Sequence, residues 1–133
     1  YEWQPGRPDG PLNAKGQPVK QPLFIHGGDG ELLTAAGLWT AWKDPDDPEG
    51  RFLHSATIIT TAANATMRPV HDRMPALLTA ECWASWLDPS NQYLAQLTGF
   101  LDGGPPDLLT MEAVSTDVNN VRNNRPDLIA PLE

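Results

Sequence analysis

The chain has 133 residues, 40% of them hydrophobic, so it can bury the core of one domain and is short for two. Its net charge of −8 argues against binding nucleic acid through a broadly basic surface. No window approaches the 18 consecutive apolar residues that a membrane span needs. Fourteen prolines and eleven glycines favour short elements joined by loops over a helical bundle.

The first half of the chain predicts strands. Residues 5–19 are rich in proline and glycine and are predicted to be loop. "KQPLFIHG" (20–27) predicts a strand, "GGDG" (27–30) a turn, and "ELLTAAGLWTAW" (31–42) a second strand that pairs with the first as a hairpin. After the acidic loop "KDPDDPEGR", "LHSATIITTAA" (53–63) predicts a strand, because residues 57–61 are all β-branched.

The second half predicts two short helices and a last strand. Thr79 is a plausible N-cap for the helix "AECWASWL" (80–87), and Glu81 suits the positive end of its dipole. Ser90 is predicted to cap a second helix that ends at Gly103-Gly104, and "DLLTMEAVS" (107–115) predicts a strand. The pattern indicates one α+β domain over residues 1–133 with a mostly antiparallel sheet.

Metal and cofactor motifs are not found in the sequence. His26, His54 and His71 are far apart, and neither C-x-x-C nor H-E-x-x-H occurs. "GGDG" does not stand between a strand and a helix, so it is a weak nucleotide-binding signal. No metal or cofactor is therefore expected.

The only cysteine, Cys82, lies on the amphipathic helix beside Glu81 and is expected to be structural. A single cysteine cannot form a disulfide within the chain, which fits a reducing cytoplasm. Two pairs of basic residues, Arg68 with Arg73 and Arg122 with Arg125, are either local anion contacts or ion-paired surface residues.

Two positions are candidates for acid–base chemistry. In "VHDRMPALL" (70–78), His71 has the side chain that titrates nearest neutral pH, and it is either a proton carrier or a surface residue. Glu2, beside Trp3, is either a general acid with a pKa raised by burial or a solvated terminal carboxylate. Asp72 has no evident role, and residues 74–78 are expected to serve the core.

Several motifs occur together in one order: "YEW" (1–3), "GLWTAW" (37–42), "ATIITTAAN" (56–64), "VHDRMPALL" (70–78), a W-x-x-W-L helix, "VSTDVNNVRNN" (114–124) and "PDLIAP" (126–131). Their order and spacing resemble the SOS-response-associated peptidase (SRAP) family over nearly the whole chain. The resemblance implies an α+β fold with a barrel-like core. It also implies that the protein binds abasic sites in single-stranded DNA and forms a thiazolidine crosslink through an N-terminal cysteine. Autopeptidase and abasic-site lyase activities are implied as well.

By matched motif, the resemblance implies that Glu2 and His71 are catalytic. It also implies that Trp3 stacks on a base, that Arg73 contacts a phosphate and that Thr60 contacts the DNA. The nucleophilic cysteine is absent from this sequence, which is expected to correspond to the C-terminal part of a family member. The expected protein is a monomer in a bacterial cytoplasm, associated with the nucleoid during DNA damage. The alternative is a non-catalytic module that binds a ligand or a protein through its tryptophans.

Overall fold

The structure is a computed structural model that describes residues 1–132, except for the side chain of Asp29. Within that range it has seven strands and two α-helices. In chain order they are β1 (Glu2–Gln4), β2 (Gln21–Gly27), β3 (Gly37–Lys43), β4 (Phe52–Ile58), β5 (Thr60–Ala62), β6 (Arg73–Pro75), α1 (Ala80–Leu87), α2 (Leu94–Gly99) and β7 (Leu109–Ala113).

The chain divides into two compact units. The first comprises Tyr1–Leu32, Ala65–Asp72 and Pro106–Glu133, and the second comprises Leu33–Asn64 and Arg73–Pro105. The motif that begins at Val70 therefore contributes its first part to one unit and its second part to the other. That the chain is one domain stays a prediction.

The first unit contains an antiparallel sheet in the order β1-β2-β7. Glu2 lies opposite Leu23 in this sheet, and Leu23 lies opposite Ala113. The strands predicted at residues 20–27 and 107–115 are confirmed. The predicted hairpin between β2 and the following strand is wrong, because β2 pairs on one edge with β1 and on the other with β7. A 3₁₀ helix at Gly28–Gly30 carries the chain away instead.

The second unit contains two antiparallel pairs, β3 with β4 and β5 with β6. The single strand predicted over residues 53–63 is divided at Ile59. Its backbone N–H donates to Ala36 O at 2.9 Å, and its carbonyl accepts from Ala76 N at 2.9 Å. Ile59 is thus the point at which the pairing partner changes from the β3 segment to the β6 segment, which β-branched composition alone does not reveal.

The α+β class with mostly antiparallel strands is confirmed, and in residues 1–132 the strands form three separate sheets, none of which closes as a barrel. Helix α1 begins after Thr79, which is the N-cap residue as predicted, but the Thr79 side chain makes no capping hydrogen bond. The predicted capping of α2 by Ser90 is wrong, because its hydroxyl donates to Asp88 Oδ1 at 2.6 Å in a turn. Helix α2 begins only after Tyr93 and ends at Gly99, before the predicted stop at Gly103-Gly104.

The core of the second unit lies around the buried Ala36, Ala76 and Leu78. Half-buried Cys82 and Trp86 pack against this cluster, so the structural interpretation of Cys82 is confirmed. Residues 74–78 also serve the core as predicted, apart from the exposed Pro75: the other four side chains are buried. No helix in the described part of the chain is long and apolar enough to cross a membrane.

Candidate functional site

Strand β1 presents Glu2 and Trp3 on opposite faces, because successive side chains of a strand alternate. Glu2 is half-buried, and Trp3 is 37% exposed. The indole Nε1–H of Trp3 donates a hydrogen bond of 2.7 Å to Asn119 Oδ1, far along the chain. Trp3 is therefore held at two points: its backbone by the pairing of β1 with β2, and its indole by Asn119.

Trp3 lines an open groove of about 620 Å³ within the first unit. The groove combines an aromatic ring, one cationic side chain and several side-chain amides. Its lining residues are Trp3, Pro5, Gly6, Asn13, Gln17, Pro18, Val19, Lys20 and Asn119. An aromatic face beside amides and an ammonium group suits a planar, polar ligand next to an anion.

His71 lies at the end of a tight turn. The backbone N–H groups of Val70 and His71 both donate to Met67 O, at 2.9 and 3.0 Å. The imidazole is about half exposed, and its Nδ1 lies 3.3 Å from Asp72 Oδ1. Asp72, which had no evident role in the sequence, therefore places its carboxylate within contact distance of the imidazole.

Arg73 and Thr60 form a cross-strand contact in the second unit. The Nη2 of Arg73 donates to Thr60 O at 2.6 Å and to Thr60 Oγ1 at 2.8 Å. Both side chains are exposed on the β5–β6 pair. The contact brings together two residues predicted to bind DNA. It fixes the guanidinium and uses the Thr60 carbonyl and hydroxyl as acceptors.

The five predicted site residues thus fall into two groups. Glu2, Trp3 and His71 belong to the first unit, whereas Thr60 and Arg73 belong to the second. Their functional roles stay predictions.

Sequence reasoning missed an aromatic and ionic cluster on β2. The ring of His26 stacks on Phe24 with centroids 5.1 Å apart, and its Nε2 lies 3.2 Å from Glu112 Oε2. Its Nδ1 lies 2.8 Å from Gly27 O. The alternation along β2 would have placed Phe24 and His26 on one face, but only the pairing with β7 brings Glu112 beside them.

The basic pair near the C-terminus is partly neutralised. Arg125 forms ion pairs with Asp127 and Asp117, and hydrogen bonds to these two carboxylates raise the pKa of its guanidinium further. For Arg125 the ion-paired interpretation is therefore the one the structure supports. Within residues 1–132, no group of three or more histidine, cysteine, aspartate or glutamate side chains is arranged to hold a metal ion.

The sequence model of the SOS response associated peptidase (SRAP) family matches residues 1–121. The chain belongs to this family.

Similar proteins include the abasic site processing protein YoqW of Bacillus subtilis strain 168, which is 40% identical over 97% of this chain and 52% of its own length. The abasic site processing protein HMCES of Xenopus tropicalis is 36% identical over 91% of this chain and 35% of its own length. A crystal structure of a Bacteroides thetaiotaomicron protein superposes with a TM-score of 0.76 at 24% identity, covering 99% of this chain and 53% of that one. This last likeness concerns the fold alone. The chain spans about half the length, or less, of these relatives.

Proposed function

We propose that this chain is the DNA-binding and proton-transferring part of a protein that processes abasic sites in single-stranded DNA. The observation that carries the proposal is the 40% identity, over nearly the whole chain, to a protein named for abasic site processing. In this proposal the covalent nucleophile is an N-terminal cysteine outside this sequence. Cys82 is unsuited to the role, because it packs on the core and has no free α-amine.

The proposed chemistry is a condensation with the ring-opened sugar. The cysteine amine attacks the aldehyde carbon and gives a carbinolamine, which loses water to form an iminium; the thiol then adds to the same carbon and closes a thiazolidine. Each step moves a proton, and a carboxylate and an imidazole are suited to that at neutral pH. Glu2 and His71 are the proposed proton carriers, and Asp72 is proposed to orient His71.

The proposed DNA contacts suit a lesion that occurs in any sequence. The face of Trp3 can stack on any base, an interaction worth about 1–3 kcal/mol. Arg73, held by Thr60, can contact a phosphate without searching many rotamers. An abasic position has no base to unpair, so little energy is needed to expose the sugar.

The remaining properties are proposed with the function. The partner is single-stranded DNA that contains an abasic site, and the protein acts as a monomer in a bacterial cytoplasm, at the nucleoid during DNA damage. Removal of its own initiator methionine and cleavage at abasic sites are the proposed accompanying peptidase and lyase activities.

The test uses a family-length protein that contains this sequence behind an N-terminal cysteine. Mixed with abasic single-stranded DNA, it is expected to give a shifted species that survives SDS. Glu2→Gln and His71→Ala should change the rate of formation or reversal of this species. His54→Ala is the matched control, because His54 is an exposed histidine on β4. The absence of an SDS-stable species would refute the proposal, and wild-type rates in both variants would remove the catalytic roles.

A second candidate function is a binding module, and one observation favours it. Every side chain of β4 is exposed, and Trp39 and Trp42 on β3 are 75% and 51% exposed. Because Trp39 and Trp42 are separated by three positions, they lie on opposite faces of this hairpin, so apolar surface is open on both sides. Exposed apolar surface of this extent is typical of sites that contact other molecules.

A salt titration separates the two candidates. Binding of single-stranded DNA by the family-length protein that weakens steeply with salt indicates phosphate contacts. No binding at low salt favours the module instead.

A further inference from the structure

Trp3 and Asn119 are joined by a hydrogen bond between residues 116 positions apart in sequence. The separation of 2.7 Å from Nε1 to Oδ1 is at the short end of the range for N–H···O bonds. An indole has only this one polar hydrogen, so the bond with Asn119 uses its whole donor capacity. Both residues line the same groove.

The 3₁₀ helix that carries Asn119 is held by polar contacts at Asp117. This helix, Thr116–Asn119, ends at Asn119 and follows the N-cap residue Ser115, whose hydroxyl accepts from the backbone N–H of Asp117 at 3.2 Å. Asn123 Nδ2 donates to the carbonyl of Asp117 at 2.8 Å, and Arg125 forms an ion pair with the carboxylate of the same residue. Asp117 thus connects the helix that carries Asn119 to the segment that follows.

We propose that Asn119 is a positioning residue that fixes the indole of Trp3 with one face toward the groove. The inference rests on the proposed function in one respect, which is that Trp3 stacks on a base. A free tryptophan side chain samples several rotamers, and all but one of them are lost when a base stacks on the ring. A ring already held in the stacking orientation loses less conformational entropy on binding, so binding is tighter.

The contact is separate from the interactions that build the sheet. Strand β1 pairs with β2 through its backbone, and this pairing does not involve the side chain of Asn119. Asn119 is exposed, and Trp3 is more than a third exposed. Removal of the Asn119 amide is therefore expected to free the indole without unfolding the first unit.

The first measurement needs no DNA. The indole Nε1–H resonance of Trp3 is assigned with Trp3→Phe, and its exchange with solvent is followed by NMR. Asn119→Ala should shift this resonance and speed its exchange, whereas Asn119→Asp keeps an acceptor and should leave the exchange slow. Asn120→Ala is the matched control, since the side chain of Asn120 accepts from Arg122 N instead. Unchanged exchange in Asn119→Ala would overturn the inference.

The second measurement is binding of a short, fluorescein-labelled single strand with an abasic analogue, followed by anisotropy. Asn119→Ala is expected to weaken binding about three- to tenfold, the range that corresponds to one net hydrogen bond. In a Trp3→Ala background the same change should have no further effect. Asn119→Asp should restore the affinity to that of Asn120→Asp, which carries the same added charge.

The two possible failures are distinguishable. A wild-type protein that binds no single strand refutes the proposed function. Wild-type binding that is unchanged in Asn119→Ala, or that falls equally with and without Trp3, refutes the positioning role alone.

Discussion

Met74 provides the most direct stability test of the motif that begins at Val70. Its side chain is 2% exposed, and its Sδ lies 3.2 Å from the backbone N of Asn64. Met74→Ala removes three buried heavy atoms, a transfer loss of about 2.4 kcal/mol at about 0.8 kcal/mol per group. A residual cavity of about 50 Å³ adds about 1.2 kcal/mol, so the total expected loss is about 3.6 kcal/mol.

The assay is urea denaturation followed by circular dichroism, with Met74→Leu as the matched control. Leucine keeps the apolar volume and loses the sulfur, so a loss below about 1.5 kcal/mol is expected. The midpoint should fall in the order wild type, Met74→Leu, Met74→Ala with an unchanged slope. A loss below about 1 kcal/mol for Met74→Ala at constant slope would refute the assignment of Met74 to the core.

Three further outcomes follow from single positions. Gly27→Ala should destabilise the fold strongly, since the added Cβ would lie 2.1 Å from a backbone carbonyl oxygen, whereas Gly99→Ala, with nothing within 4 Å, should be neutral or stabilising in thermal unfolding. The hydrogen bond from Arg51 lowers the pKa of Asp47 in the folded protein. The ionised carboxylate therefore stabilises the fold above its ordinary pKa of 3.8, and this stabilisation is lost as the pH falls through the lowered pKa of the folded state. Arg51→Gln should return the pKa of Asp47, measured by NMR, toward 3.8, and an unchanged pKa would contradict the contact. Trp39 is 75% exposed, so Trp39→Phe should lower the acrylamide-quenchable emission, and an unchanged quenching slope would show that Trp39 is buried.

Local sequence patterns predicted which segments form strands and helices better than they predicted which strands pair. The apolar run at β2 and the cap at Thr79 with the amphipathic spacing of α1 were sufficient to predict a strand and a helix, because these signals lie within a few residues of each other. The partner of β2 was mispredicted, because a glycine turn permits a hairpin without requiring one. Which edges pair depends on contacts between β2 and β7, more than 80 residues apart.

The candidate site divides in the same way. Motif order in the sequence indicated the family and nominated Glu2, Trp3, Thr60, His71 and Arg73. It gave no means of finding the partners that hold these side chains, since a hydrogen bond such as that from Trp3 to Asn119 leaves no periodic signal in a single sequence.

The sequence by itself therefore determined the residue types available for proton transfer and stacking, the short antiparallel strands and the membership of the SRAP family. Only the tertiary structure decided that Arg73 is fixed by Thr60 and that Asn119 holds Trp3. The physical reason is range. Backbone propensity and hydrophobic periodicity act within a few residues, whereas a side chain acquires its orientation from atoms that only the folded chain brings near.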